Sequence, residues 1–210
     1  TLQSTLGALQ SVWQPVLEKG QIAQANPAGR EYLDNYIKGQ PSLGLVKQNL
    51  QKLIEAQDLT AEDRVRLIRS VTKVSGRKRE GRFVFERVCT SCHRVQDFGV
   101  NYGPELTQVA GRMNRDQIAE SILYPNQEVA PQWLTTNITT RDGQELSGVV
   151  GAEDAESVTL KLGGDQVQKV AKSTIVKREA LKVSNMPEGL AAGLAPQEFV
   201  DLIEYLGTLK

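Results

Sequence analysis

Apolar residues recur at helical spacing through the first third of the chain, with polar turns between the runs. Residues 43–56 carry one such run, and Thr60 begins a sequence typical of a capping box before a second run. Asn26 is a further helix cap, which predicts a helix over residues 28–37. We therefore predict that residues 1–75 are helical, either as the last unit of a repeat array or as an extension packed on the following domain.

A second helical pattern covers residues 77–88 and is interrupted by Gly81. A glycine inside a helix costs about 1 kcal/mol relative to alanine, so it usually marks the close approach of another helix. The candidate partner is the segment 196–209, which begins with a proline and carries one apolar stripe: Phe199, Leu202, Ile203 and Leu206. These two helices are predicted to cross at Gly81.

Between residues 131 and 183 the pattern changes to alternation of apolar and polar positions, which is typical of strands. Arg141-Asp142-Gly143 and Gly163-Gly164-Asp165 are hairpin turn sequences within this segment. We expect short strands at residues 133–140, 145–150, 157–162, 166–170 and 174–177. They predict a small antiparallel β-sheet or SH3-like barrel inserted between helices, with its two ends close together. The segment contains no histidine, and no catalytic group is predicted in it.

Cys89-Thr90-Ser91-Cys92-His93 holds both cysteines and the one histidine of the chain. Two thiols at this spacing can each add to one haem vinyl group, and the adjacent imidazole then lies under the iron, so the motif predicts a c-type haem site. A structural zinc site requires four Cys or His ligands, and the chain has only these three. A thioredoxin-like dithiol would follow a strand, whereas a predicted helix precedes Cys89. Chance occurrence is the remaining alternative.

The overall charge narrows the possible partners. Lys plus Arg and Asp plus Glu number 25 each, so no net field would attract nucleic acid or an anionic membrane. No apolar run is long enough for a transmembrane segment, and the sequence from Thr1 does not read as a signal peptide. Haem attachment nevertheless suggests a periplasmic or otherwise exported bacterial protein, whose export signal has been removed or of which this chain is a fragment.

Several further motifs, in their order along the chain, resemble a class I cytochrome c. They are Gly81 and Phe85 before the haem motif, Gly103-Pro104-x-Leu106, Gly111-Arg112, Met186-Pro187 and Leu202-x-x-Tyr205-Leu206. The sequence is more similar still to a haem-binding domain first noted in Planctomycetes and Verrucomicrobia. That similarity rests on Ile122-Leu123-Tyr124-Pro125-Asn126, Thr140-x-Asp142-Gly143 and Asn185-Met186-Pro187-Glu188-Gly189-Leu190.

This resemblance covers about residues 77–210 and implies an α+β protein. Residues 76–210 would form a mainly α cytochrome c fold, interrupted by the β insertion at about 131–183. Residues 1–75 would be the helical extension, since they lie outside the resemblance.

The resemblance also implies roles for four residues besides the two cysteines. His93 would be the proximal iron ligand, and the Pro104 carbonyl would accept a hydrogen bond from its other ring nitrogen. Leu106 would wall the haem, and Arg112 matches the position at which related cytochromes hold a haem propionate. The alternatives are a plain turn at Gly103-Pro104, a generic core position for Leu106 and an ordinary exposed arginine at Arg112.

Met113 and Met186 are the two remaining sulfur candidates for the sixth iron ligand. Met186 lies in a loop flanked by proline and glycine just before the last helix, whereas Met113 precedes a helix cap and is better explained by packing. We therefore predict iron ligation by His93 and Met186. A packing role for Met186, an open sixth position, and ligation by Asn185 or Tyr102 remain alternatives.

The predicted function is electron transfer by one covalently attached haem c, without a catalytic site of its own. The expected partner is a redox protein or a fused dehydrogenase domain, and the alternatives are a haem enzyme or gas sensor and a protein-binding module with a structural haem. Four cations before the haem motif, Arg77, Lys78, Arg79 and Arg82, could steer an acidic partner or simply solvate a helix end. The β insertion could recognise a partner, shield the haem edge or buttress the Met186 loop.

Overall fold

The computed structural model describes residues 41–210, so the helix predicted over residues 28–37 lies outside the described residues. Helices and strands are both present, and they give a mixed α+β architecture. In chain order the elements are α1 (Pro41–Glu55), α2 (Ala61–Thr72), α3 (Lys78–Val88), β1 (Arg94–Val95), β2 (Phe98–Gly99), α4 (Val109–Arg112), α5 (Arg115–Leu123), β3 (Leu134–Thr140), β4 (Glu145–Glu153), β5 (Ser157–Gly163), β6 (Gln166–Ala171), β7 (Ile175–Ser184) and α6 (Pro196–Leu206), with 3₁₀ turns at Pro131–Trp133, Lys172–Thr174 and Leu190–Gly193.

Helices α1 and α2 pack against each other and belong to the main hydrophobic core. Thr60 caps α2 as the sequence predicts, because its side chain accepts a hydrogen bond from the Asp63 backbone N–H. Val46 and Leu53 of α1 and Val71 of α2 are almost fully buried, in the same cluster as the apolar side chains of the later helices. The first described helices therefore share a core with the segment that carries the haem motif.

Helices α3 and α6 cross at Gly81, as predicted. A Cβ atom on Gly81 would overlap the Asp201 carbonyl oxygen and lie 2.8 Å from Tyr205 Cβ, so only glycine fits at this crossing. One turn further along α3, the rings of Phe85 and Tyr205 meet with their centroids 5.6 Å apart. This packing places the end of α3, and hence the haem motif, against the core.

An ion pair between a half-exposed arginine and a buried carboxylate fixes the start of α3 to α6. The Asp201 carboxylate is 1% exposed and accepts hydrogen bonds from the Arg77 backbone N–H at 2.7 Å and from its guanidinium at 2.7 Å. The Gln197 amide donates to the same carboxylate at 2.6 Å. Since a buried carboxylate is stable only when it is paired and hydrogen-bonded, these contacts make Asp201 a structural residue of the helix crossing.

The β insertion forms one antiparallel sheet with the strand order β6-β5-β4-β3-β7. Its core consists of five buried side chains: Ile138, Leu146, Val158, Leu160 and Val170. Of the two forms expected from the sequence, a sheet or an SH3-like barrel, the structure has the sheet. Within residues 41–210 this sheet is open, with β6 and β7 as its two edges. Leu134 at the start of β3 pairs with Ser184 at the end of β7, so the two ends of the insertion do lie close together.

No helix within residues 41–210 is long and apolar enough to cross a membrane.

Candidate functional site

The haem motif forms a tight turn at the end of α3. Cys89 is the C-cap of that helix and donates its backbone N–H to Phe85 O at 2.8 Å. The backbone N–H groups of Cys92 and His93 in turn donate to Cys89 O, at 3.1 and 2.8 Å. Both cysteines are free thiols and partly buried. One turn therefore brings together two thiols and the imidazole, as a c-type haem site requires.

The Cys89 thiol is held in its neutral form. Burial raises its pKa to about 12, and the nearby Cys92 acts in the same direction. The raised pKa therefore indicates apolar surroundings around the Cys89 sulfur, which would equally surround a neutral thioether.

The His93 imidazole is presented as a neutral nitrogen donor. Its Nδ1 lies 2.8 Å from the Pro104 carbonyl oxygen. Because a carbonyl can only accept a hydrogen bond, Nδ1 carries the proton in this pair and Nε2 keeps its lone pair. Burial lowers the pKa of His93, an effect that outweighs the opposing influence of the Pro104 hydrogen bond. Nε2 is therefore the nitrogen available to a metal.

The loop before Pro104 packs directly on the imidazole ring. The backbone N–H groups of Tyr102 and Gly103 both donate to Cys92 O, at 3.1 and 2.7 Å. A Cβ atom on Gly103 would lie 2.8 Å from His93 Cε1 and 3.1 Å from Nδ1, so this position has room only for glycine. Gly103-Pro104 thus contacts and orients the predicted ligand rather than forming a separate surface turn.

The inserted sheet contacts this same loop through one lysine. Lys161 of β5 donates its ammonium to the Asn101 carbonyl oxygen at 2.6 Å, and the ammonium lies 5.7 Å from the centre of the Trp133 ring. Asn101 immediately precedes Tyr102 and Gly103. The insertion therefore touches the loop that orients His93, which the sequence did not indicate.

The two arginines near the motif differ in their surroundings. The exposed Arg112 donates from its guanidinium to the Glu105 carbonyl oxygen at 3.0 Å, and its contact with a haem propionate remains a prediction. Arg94 directly follows His93, and its Nε is buried with no hydrogen-bond partner among the described residues. A buried guanidinium nitrogen without a partner suits an incoming carboxylate. Sequence reasoning missed Arg94 because its position beside the motif gives no indication of burial.

Several partly buried apolar side chains, Cys89 among them, pack against the main core. They include Leu106, Met113, Met186 and Leu194. Both methionines lie at this margin, so the structure does not separate the two sulfur candidates by burial. Among the alternative ligands, Tyr102 is buried, and the Asn185 Nδ2 atom is buried without a partner in the described part of the chain. These side chains supply apolar surface and Arg94 supplies a cation, which are the two properties that a macrocycle with an apolar body and a carboxylate edge requires.

The cations before the haem motif are partly engaged within the protein. Arg77 forms the ion pair with Asp201, and Arg82 pairs with Glu86 one turn later at 2.8 Å. The Arg79 guanidinium lies 5.9 Å from the centre of the Phe83 ring. These contacts favour the interpretation of this cluster as a helix terminus over that of a docking patch.

Within residues 41–210 no group of three or more His, Cys, Asp or Glu side chains is placed to hold a metal ion. No curated protein matches the chain. Residues 79–172 match the family model for cytochrome c, a stretch that includes the haem motif and most of the sheet but ends before Met186 and α6. This match supports a cytochrome c domain in the chain, and that family implies a covalently bound haem c.

Proposed function

We propose that residues 76–210 form a c-type cytochrome domain with one haem, which exchanges single electrons with a redox protein or a fused dehydrogenase domain. Within cytochromes c we assign the domain to the type first noted in Planctomycetes and Verrucomicrobia, and we expect it to be exported. The observation that carries the proposal is the single turn that joins Cys89, Cys92 and His93, with His93 Nδ1 bonded to the Pro104 carbonyl at 2.8 Å.

Each residue of the site has a distinct task in this proposal. Cys89 and Cys92 hold the haem through thioethers, and His93 binds the iron through Nε2. The hydrogen bond from Nδ1 to Pro104 fixes the tautomer and makes the imidazole a stronger donor. Met186 supplies the sixth ligand. When bound, the haem iron supplies the one-electron couple.

Ligation by histidine and methionine suits an electron carrier for two reasons. A thioether ligand raises the reduction potential of the iron, and a filled sixth position keeps other small molecules from binding. Electron transfer then needs no bond to form or break at the iron. Leu106 and the buried residues around it would exclude water from the proximal side of the site.

Absorption spectra and redox titrations of the holoprotein test the ligation. We expect the ferric parent protein to show a sulfur-to-iron charge-transfer band, and Met186→Ala to lose the band and lower the reduction potential. Met113→Ala is the matched control, since Met113 borders the same core, and it should keep both properties. If Met113→Ala abolishes the band instead, Met113 is the ligand. If the parent lacks the band, neither methionine is bound.

The same samples distinguish an electron carrier from a haem enzyme or gas sensor. Carbon monoxide added to the reduced parent protein should bind only weakly, because Met186 occupies the sixth position. Rapid, tight binding would indicate an exchangeable ligand and would favour the second class. A binding module with a structural haem would instead hold its partner equally well in both redox states.

A further inference from the structure

Asn126 lies where the chain leaves the helical part of the molecule for the inserted sheet, and its side chain reaches the point where the chain returns. Asn126 Oδ1 accepts a hydrogen bond from the Ser184 backbone N–H at 2.7 Å. Its Nδ2 donates to the Glu188 carboxylate at 2.6 Å. One amide group therefore contacts two positions that are four residues apart in the returning chain.

Those two positions flank Met186. Ser184 also accepts a hydrogen bond, on its side-chain oxygen, from the Met186 backbone N–H at 3.0 Å. Gly189 follows Glu188 with a φ of +80°, a left-handed conformation that ends the loop before the 3₁₀ turn at Leu190–Gly193. The loop of residues 184–188 is thus held at both ends by Asn126 and in the middle by Ser184.

We propose that Asn126 is a positioning residue that clamps the Met186 loop and thereby limits how often the Met186 thioether leaves the iron. This inference rests on the His/Met ligation proposed above. A surface loop opens more often when the hydrogen bonds that tie it down are removed. The Asn126 amide offers one acceptor and one donor, which is what Ser184 N–H and Glu188 require.

Imidazole can report on this opening. Added imidazole binds the iron only in molecules whose Met186 has dissociated, so its apparent affinity is proportional to the open fraction. Losing a hydrogen bond to a charged group at a partly exposed position should raise that fraction on the order of tenfold. The expected signal is therefore an imidazole affinity about tenfold tighter than that of the parent protein.

Two variants test the Asn126–Glu188 pair: one disrupts it, and the other restores it with donor and acceptor exchanged. Asn126→Asp keeps an acceptor for Ser184 N–H but sets a carboxylate against Glu188, so it should tighten imidazole binding and speed hydrogen exchange at the Ser184 and Met186 amides. The double variant Asn126→Asp with Glu188→Gln restores a donor–acceptor pair in the opposite direction. Both measurements should then return towards parental values.

Gln127→Glu is the matched control. Gln127 lies one residue further along the chain, and its Nε2 likewise donates to a carboxylate, that of Glu120, at 3.0 Å. Among the described residues, the side-chain hydrogen bonds of Gln127 do not reach residues 184–188. We expect Gln127→Glu to change neither imidazole affinity nor exchange at the two loop amides. An equal effect of this control would show that charge near the insertion, and not the clamp, is responsible, and would overturn the proposal.

The two proposals can fail separately. If Asn126→Asp changes neither readout, the clamp is refuted even where Met186→Ala shows that Met186 is the ligand. If exchange becomes faster while imidazole affinity stays unchanged, the loop is clamped but the link to ligation is refuted. If Met186→Ala leaves imidazole affinity unchanged, the proposed ligation fails, and the exchange rates alone support or overturn the clamp.

Discussion

Replacing Gly81 by alanine should destabilise the protein, although intrinsic helix propensity favours alanine. The new Cβ would overlap the Asp201 carbonyl oxygen and lie 2.5 Å from its carbonyl carbon. Ordinary carbon–oxygen contacts are longer than 3 Å, and the obstacle is helix backbone rather than a flexible side chain. Helices α3 and α6 would therefore have to separate or rotate to admit one methyl group.

The expected magnitude follows from opposing contributions. Alanine gains about 1 kcal/mol over glycine in a helix interior. Overpacking a tight contact costs about 1–3 kcal/mol, and occasionally more. Separation of the helices would also weaken the Arg77–Asp201 pair. For comparison, breaking a fully buried ion pair costs about 3–5 kcal/mol. Since Arg77 is 46% exposed, we discount this contribution strongly. With about 1 kcal/mol or less left from the ion pair, the net loss in the free energy of unfolding should be about 1–3 kcal/mol.

Guanidinium unfolding of the ferric holoprotein, followed by circular dichroism, measures this loss. Gly111→Ala is the control, because Gly111 also lies in a helix and its added Cβ would meet no described atom within 4 Å. It should be neutral or stabilising by up to about 1 kcal/mol. A Gly81→Ala protein as stable as its parent would refute the close crossing. An equal loss in both variants would show that the cost is not specific to that crossing.

Two further predictions concern cations near His93. Lys161→Met removes the hydrogen bond to the loop that orients His93, so the free energy of unfolding should fall by about 1 kcal/mol and the reduction potential should fall with it. Lys169→Met removes only an exposed ion pair at 3.7 Å and should cost less than about 0.5 kcal/mol, with the potential unchanged. If Arg94 pairs with a haem propionate, Arg94→Gln should raise the pKa of that propionate by about one unit or more. Arg112→Gln is the comparison, because a shift in that variant instead would assign the propionate contact to Arg112. Reduction potentials measured from acid to alkaline pH would show the shift, and equal curves for both arginine variants would contradict the role of Arg94.

The helical half of the fold could be predicted because its signals are local. The stripe of α6 is buried as its spacing predicts, and the helix boundaries agree within a few residues. The stripes of α1 and α2 are buried only in part, since Leu45, Ile54 and Val65 are 49%, 39% and 46% exposed. Gly81 was informative because a glycine in the middle of an amphipathic helix conflicts with local propensity. The structure resolves that conflict through the backbone of α6.

The sheet was predictable in its hairpins but not in its closure. Asp142-Gly143 and Gly163-Gly164 mark the turns after β3 and β5, and the structure has hairpins there. β7 extends to Ser184, beyond the predicted strand at residues 174–177. The sequence did not reveal this extension, because residues 176–180 are all exposed and show no alternation of buried and exposed positions. Whether the edge strands meet depends on the twist of the whole sheet, which no local pattern reveals.

The same distinction applies to the site. Cys89, Cys92 and His93 could be proposed from the sequence because haem attachment requires a fixed spacing along the chain. Arg94 and Asn126 could not be assigned a role, since burial and contacts across the insertion are not encoded in local spacing. The Asn126 contacts join residues 58 and 62 positions apart, and these long-range contacts are what the structure adds.

These contacts bear on the role of the inserted sheet. Lys161 ties the sheet to the loop that orients His93, and Asn126 ties the returning strand to the loop that carries Met186. The insertion therefore contacts the loop that orients His93 and joins the loop that carries Met186. Rapid electron transfer requires that the ligands move little between the two oxidation states, and a sheet fixed to both loops would restrain them. This favours a structural role for the insertion, in which it holds the two loops in place, over a role in partner recognition. It predicts that removing either contact will change the ligation or the reduction potential of the iron without unfolding the sheet.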